Sequence, residues 1–171
     1  MTIDVIRYFF RYNAWATELA LDAAGQLTDE QYNAPGCSGI GSVRDTLAHV
    51  LMVQQRWIET IAGAIKPEDA MTPPFTANDV PVVADARSRW THVAEVTDAY
   101  LGSLTDELVL GEITLHHPAR GTLKKVQWPL LLHVANHGTH HRAQIFAAVR
   151  RAGHAPAPSD LLFFSMSPAG A

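Results

Sequence analysis

The sequence lacks several features that would define whole classes of protein. It has a single cysteine, Cys37, so no disulfide can form within the chain, as is usual in a reducing cytoplasm. It has no apolar run near the roughly 18 residues of a membrane span and no signal-peptide pattern. Charged residues make up 18% and the net charge is −4, which argues against a basic nucleic-acid-binding face. The 171 residues therefore predict one globular, cytoplasmic domain over 1–171, with neither nucleic acid nor membrane as a partner.

Histidine, by contrast, is abundant, and four of the nine histidines fall within residues 133–141. If Trp128–Gly153 is a helix, His137 and His141 lie on its mostly apolar line, where Leu or Ile would pack without polar cost. An i, i+4 pair can bind one metal ion because both side chains project from the same helix face. The alternative is a pair of core histidines bonded to each other or to carbonyls. His133 and His140 lie off this line and are expected on its flanks.

Three further segments have the period of amphipathic helices: Thr2–Ala24, Ser42–Ala62 and Pro81–Ser103. Four helices with one apolar stripe each pack as a bundle, and such bundles build metal sites from inward side chains on facing helices. The second helix begins with a capping pattern at Ser42 and carries His49 among apolar neighbours. Beside a chelating pair, His49 is the leading third ligand. The connection before the third helix is long enough to allow a crossover.

Residues Leu108–Gln127 interrupt the helical pattern. Alternating apolar residues on either side of Pro118–Gly121 predict a small β-hairpin. His116 and His117 lie in it and could be ligands, but the tip of a hairpin is a poor place for a buried site. His92 falls opposite the apolar stripe of the third helix and is expected in solvent. The fold class predicted is all-α, a four-helix bundle with one hairpin before the last long helix.

Several other polar residues have more than one interpretation. Arg142 and Gln144 could orient neighbouring groups or a substrate, although for Arg142 an ion pair at the bundle surface is favoured. Asn13 and Thr17 interrupt the apolar face of the first helix, which predicts that this face borders a polar cavity. Cys37 lies in a glycine-rich loop where it could be exposed and reactive, but a lone cysteine is more often incidental.

These segments resemble the DinB/YfiT-like family of metal-binding four-helix bundles in four places. Tyr12–Trp15 (YNAW) resembles the family's YNxW element, and Ser42–His49 (SVRDTLAH) resembles the start of its second helix. His133–Gln144 (HVANHGTHHRAQ) resembles its HVxNHxxHHRGQ signature, with Ala143 where the family usually has glycine. Gly153–Leu161 (GHAPAPSDL) resembles its GxxPxxxDL tail. The resemblance covers nearly the whole chain, and the histidine signature is its most specific part.

The resemblance implies metal ligands at His49, His137 and His141, the same three residues that the helical wheels select. Zinc and nickel both suit imidazole ligands, and the sequence does not choose between them. Activities in this superfamily include thiol-dependent transferases and isomerases and metal-dependent hydrolases. The resemblance, together with the apolar run Leu161–Phe164, which needs cover, also implies a homodimer.

Two functional hypotheses follow. The first is a metal-dependent enzyme acting on a small molecule, most plausibly a transferase that uses a low-molecular-weight thiol. The second is a metal- or ligand-binding protein without turnover, with a stress-related or regulatory role. No catalytic residue beyond the ligands is apparent from the sequence. A fourth protein ligand, such as His133, would argue against the enzyme because it would close the metal to substrate.

Overall fold

A computed structural model describes residues 1–66, 69, 72–117 and 119–170. Within these residues the chain is mostly helical, with one two-stranded antiparallel sheet, which confirms the predicted bundle and hairpin. The helices are α1 (Ile3–Ala24), α2 (Asp29–Asn33), α3 (Val43–Ile61), α4 (Val83–Ser103), α5 (Asp106–Leu110), α6 (Gln127–Arg151) and α7 (Leu161–Ser165), and the strands are β1 (Glu112–His117) and β2 (Gly121–Val126). None of the described helices is both long and apolar enough to cross a membrane.

The four long helices close into a ring in which α6 packs on α1 and α3, and α4 packs on α3 and α1. One end of the bundle is filled by a core cluster that includes Leu21, Leu47, Trp90 and Ile145, and the other end by a cluster that includes Ile6, Ile58, Leu101 and Leu131. These pairings make α3 and α4 parallel to each other and antiparallel to α1 and α6. The connection from α3 to α4 is therefore a crossover between opposite ends of the bundle, as its length allows.

The start of α3 is fixed by the predicted capping box. The Ser42 hydroxyl accepts from the Asp45 backbone N–H at 3.1 Å, and the Asp45 carboxylate accepts from the Ser42 backbone N–H at 2.9 Å. Gly41 precedes the box with φ +142°, and a Cβ there would collide with the Asp45 carboxylate. The box fixes the first turn of α3, and His49 lies about two turns further along the same helix.

The hairpin pairs β1 with β2 in the register Leu115 to Leu123, and Pro118 in its predicted turn lies outside the described residues. The expectation that Leu108 onward is not helical is wrong for its first residues, since α5 covers Asp106–Leu110. A single turn is too short to show a helical period. It is held by Thr105, whose side chain caps the Leu108 N–H, and by Val109, which is fully buried.

The C-terminal helix α7 covers part of the apolar run in the tail. Phe164 is fully buried against Tyr12 and Trp15 of α1, so the bundle itself shields this residue. Leu162 and Phe163, on the other side of α7, remain exposed. The run is therefore divided between the core and the surface.

Candidate metal centre

The structure brings His49 of α3 together with His137 and His141 of α6. One ring nitrogen from each of the three lies within 4.8 Å of the others. The Nε2 atoms of His49 and His137 are 3.1 Å apart, and the ring centroids of His137 and His141 are separated by 4.5 Å. Two helices that pack against each other thus present three imidazoles to one point.

This arrangement fits the donor set of a divalent metal ion. For metal–nitrogen distances of about 2.0–2.1 Å, two ligands at a tetrahedral angle lie about 3.3 Å apart, and at a right angle about 2.9 Å. The observed separation between His49 Nε2 and His137 Nε2, 3.1 Å, falls between these values. Imidazole nitrogen is a preferred ligand of zinc and nickel, so for this pair the chemistry of the donors agrees with their spacing, while the third nitrogen lies within 4.8 Å of both.

Gln144 determines which nitrogen of His141 is free. The Nδ1 of His141 lies 2.7 Å from Gln144 Oε1, and because an amide oxygen only accepts, His141 donates its Nδ1–H. Its Nε2 then carries a lone pair. The amide nitrogen of Gln144 in turn donates to His140 Nε2 at 3.3 Å. Outer hydrogen bonds of this kind orient histidines that ligate metals.

The three imidazoles are held in the neutral form. Burial, followed by the charges of the neighbouring histidines, lowers the pKa of His137 to about 4. Burial also lowers the pKa of His49 and of His141, and for His141 it outweighs the hydrogen bond to Gln144, which acts in the opposite direction. Metal ions bind neutral imidazole, so near pH 7 no proton has to be displaced from these rings.

The other histidines lie outside this group. His133 is exposed and packs its ring edge against Trp57, at 5.6 Å between centroids. His140 is exposed and bonds Gln144, as described above. His92 is exposed, as predicted, and His116 is exposed on the hairpin beside Thr122. The side chain of His117 lies outside the described residues.

Arg142, adjacent to His141, is buried, so the expectation that it forms an ion pair at the bundle surface is wrong. It is 2% exposed, and its guanidinium donates to Asn13 Oδ1 at 2.6 Å and to Thr17 Oγ1 at 3.3 Å. Burial lowers its pKa to about 10, which leaves it charged at neutral pH. The polar space predicted beside Asn13 and Thr17 is thus filled by this side chain, and all its hydrogen-bond partners in the described part of the chain are neutral.

From Asn13 the hydrogen bonds continue across the bundle. Its amide donates to Gln54 Oε1 at 2.9 Å, and Gln54 donates to Thr97 Oγ1 at 3.0 Å. The path joins α6, α1, α3 and α4, the four helices of the bundle. Sequence reasoning did not single out Gln54 or Thr97, although a glutamine in the middle of an apolar helix was the available signal. Gly138 makes room for the path, since a Cβ there would lie 2.5 Å from Arg142 Nη1.

A four-helix bundle with three convergent histidines on two of its helices defines a class of small helical proteins with a site able to hold a divalent metal ion. Residues 2–169 match the model of the DinB family, and the chain belongs to that family.

One curated relative is similar in sequence, and one solved structure is similar in fold. The curated protein DinB of Bacillus subtilis (strain 168) is 28% identical, over 88% of each chain. The crystal structure of a DinB-like protein, YjoA, from the same organism has the same fold, with a TM-score of 0.63 at 19% identity, over 91% of this chain and 96% of that one.

Proposed function

We propose that the protein binds one divalent metal ion, zinc or nickel, through His49, His137 and His141, and uses it to act on a small molecule. The reaction class we favour is transfer to a low-molecular-weight thiol, with hydrolysis as the second possibility. The observation that carries the proposal is the convergence of three neutral imidazoles from two helices. Membership of the DinB family, which is metal-associated, supports it.

The protein ligands leave room for a further ligand. Among the described residues, the group that could hold a metal consists of these three histidines. His133, which would argue against an open site if it were a fourth ligand, packs on Trp57, and its ring centroid is 6.0 Å from that of His137. Metal sites with three protein ligands and an open position are typical of catalysis, whereas structural sites are usually closed by four.

The site residues would each have a defined task. A bound divalent ion would supply Lewis acidity, lowering the pKa of a thiol or water at the open position. His49, His137 and His141 contribute lone pairs without prior loss of a proton, and Gln144 keeps the His141 ring in the required tautomer. His49 and His137 are only partly buried, so a small molecule can reach them from solvent.

The first test is the metal content of the untagged protein by mass spectrometry, alongside His137→Ala and the control His92→Ala. His92 is an exposed histidine on α4, so it controls for the loss of an imidazole alone. We expect about one zinc or nickel per chain in the parent and in His92→Ala, and almost none in His137→Ala. A parent that stays free of metal after zinc or nickel is added would refute the proposal.

Turnover is tested separately, with metal-loaded and metal-free protein, small thiols and an electrophilic acceptor. Metal-dependent consumption of the thiol supports the transferase, and metal-dependent cleavage of an activated ester supports the hydrolase. Metal binding without either activity, across a panel of thiols and esters, would favour the alternative, a metal- or ligand-binding protein without turnover.

The homodimer expected from the sequence also stays a prediction. The exposed side of α7, with Leu162 and Phe163, is the apolar surface that a second copy would cover. Sedimentation at micromolar concentration should give a dimer, and a clean monomer would remove this expectation. We expect the protein to work in a reducing cytoplasm, in keeping with its single cysteine.

A further inference from the structure

Arg56 lies two helical turns after His49 on the same face of α3. Seven residues at about 100° each bring its side chain to within about 20° of His49 around the helix, and about 10 Å further along it. Since α3 runs antiparallel to α6, this places Arg56 towards the side of the cluster where His133 and Trp57 lie. Its side chain is partly buried.

Arg56 differs from the other partly or fully buried arginines because its guanidinium has no partner in the part of the chain that the structure describes. Within the described residues, every other arginine that is at least partly buried bonds a carbonyl, a carboxylate or a polar side chain, or packs over an aromatic ring: Arg7, Arg44, Arg87, Arg89 and Arg142. Glu59, one turn beyond Arg56, accepts instead from Gln55 at 2.8 Å. Its guanidinium donors are therefore not used by the described part of the protein and can meet an anion from outside.

The charge of Arg56 also reaches the histidine cluster. After burial and the effect of His141, it is the next cause of the lowered pKa of His49. Apart from the three histidines themselves, the other residues whose charges lower the pKa values of this group are His133 and His140, and no described carboxylate is among them. The side chains outside the cluster that influence these three histidines are thus all basic, and three neutral ligands would leave the charge of a divalent ion uncompensated.

We propose that Arg56 binds the anionic group of the small molecule that reaches the histidine cluster, so that the site selects a compound carrying a carboxylate. The proposal deepens the proposed function and rests on it. A guanidinium offers paired N–H donors that match a carboxylate in two parallel hydrogen bonds. The reacting group of the same molecule would lie at the open side of the three imidazoles, and Arg56 is then a specificity-determining residue.

The test uses the cobalt-loaded protein, in which the visible absorption of the ion reports a change of its ligands. Two small thiols are titrated, 3-mercaptopropionate, which carries a carboxylate, and 2-mercaptoethanol, which does not. The proteins compared are the parent, Arg56→Gln, Arg56→Lys and Arg150→Gln. Arg150→Gln removes the same charge from an exposed position at the end of α6 and is the matched control. Cobalt stoichiometry and far-ultraviolet circular dichroism establish that each variant is folded and loaded.

We expect the parent and Arg150→Gln to bind the carboxylate thiol about tenfold more tightly than the neutral one, as one charge-assisted hydrogen-bonded pair would give. Arg56→Gln should lose this preference, and Arg56→Lys should keep part of it. An unchanged preference in Arg56→Gln, or none in the parent, would overturn the role of Arg56 while leaving the metal site intact. A parent that takes up neither cobalt nor zinc nor nickel would instead overturn the proposed function, and this inference with it.

Discussion

Replacing Gln144 by alanine tests how the histidine cluster is held ready to bind a metal. The change removes the acceptor that lies 2.7 Å from His141 Nδ1, so the ring loses the bond that fixes its tautomer and orientation. Groups that orient metal ligands are typically worth 10–100-fold in metal affinity. His141 is only 9% exposed and keeps its contacts with His49 and His137. We therefore expect a loss in the lower part of this range, about ten- to thirtyfold, or about 1.4–2 kcal/mol.

The assay is a competitive titration of zinc against a chelating dye, with three variants compared to the parent. Gln144→Ala should bind zinc about ten- to thirtyfold more weakly, a loss of about 1.4–2 kcal/mol in binding free energy, as is typical when a residue that hydrogen-bonds to a metal ligand is removed. Gln144→Glu keeps an acceptor for His141 and should stay within about threefold of the parent. Gln26→Ala, at an exposed glutamine beyond the end of α1, is the control and should not differ. Thermal unfolding of the metal-free proteins shows whether the fold is retained.

Two results would refute the reasoning about Gln144. Zinc affinity of Gln144→Ala within about twofold of the parent would mean that packing alone orients His141. An equal loss in Gln144→Glu would mean that the bond to His140, rather than the bond to His141, carries the effect.

Three further predictions concern stability and reactivity. Gly138→Ala should lower the free energy of unfolding in urea by about 1–3 kcal/mol because the added Cβ would meet Arg142. The control Gly102→Ala, where an added Cβ would meet nothing within 4 Å, should be neutral or stabilising. Equal changes of stability in the two variants would contradict the close contact at Gly138. Burial raises the pKa of Asp45, but the hydrogen bonds from Ser42 and Arg44 outweigh burial, and the net shift of the pKa is downward. Ionised Asp45 therefore stabilises the fold at pH values above its unfolded pKa of about 3.9, and this stabilisation is lost as the pH falls through the lower folded pKa. Asp45→Asn should flatten the dependence of unfolding free energy on pH in that acid range, and an unchanged slope would count against the capping box. Cys37 is 9% exposed and burial raises its pKa, so a thiol reagent should label it slowly in the native protein and rapidly in urea; rapid native labelling would contradict its burial.

The local features of this protein follow from the sequence alone. The capping box at Ser42 joins residues three positions apart, and His137 and His141 share a helix face because of their four-residue spacing. The β-hairpin is equally local, since its strands are close in sequence. The long helices are predictable because their apolar stripes repeat over many turns. In each case the interacting groups are near neighbours along the chain, so the pattern of residues carries the information.

Other features depend on residues far apart in the chain. Arg142 is buried because its guanidinium meets Asn13, 129 positions away, and no local pattern distinguishes this from an exposed arginine. The parallel arrangement of α3 and α4 is likewise set by which ends share a core cluster. That Arg56 has no partner among the described residues likewise depends on where the fold places the carboxylates of other elements. Sequence determined which side chains share a helix face, and tertiary packing decided which faces meet, because burial and charge compensation depend on all the surrounding elements.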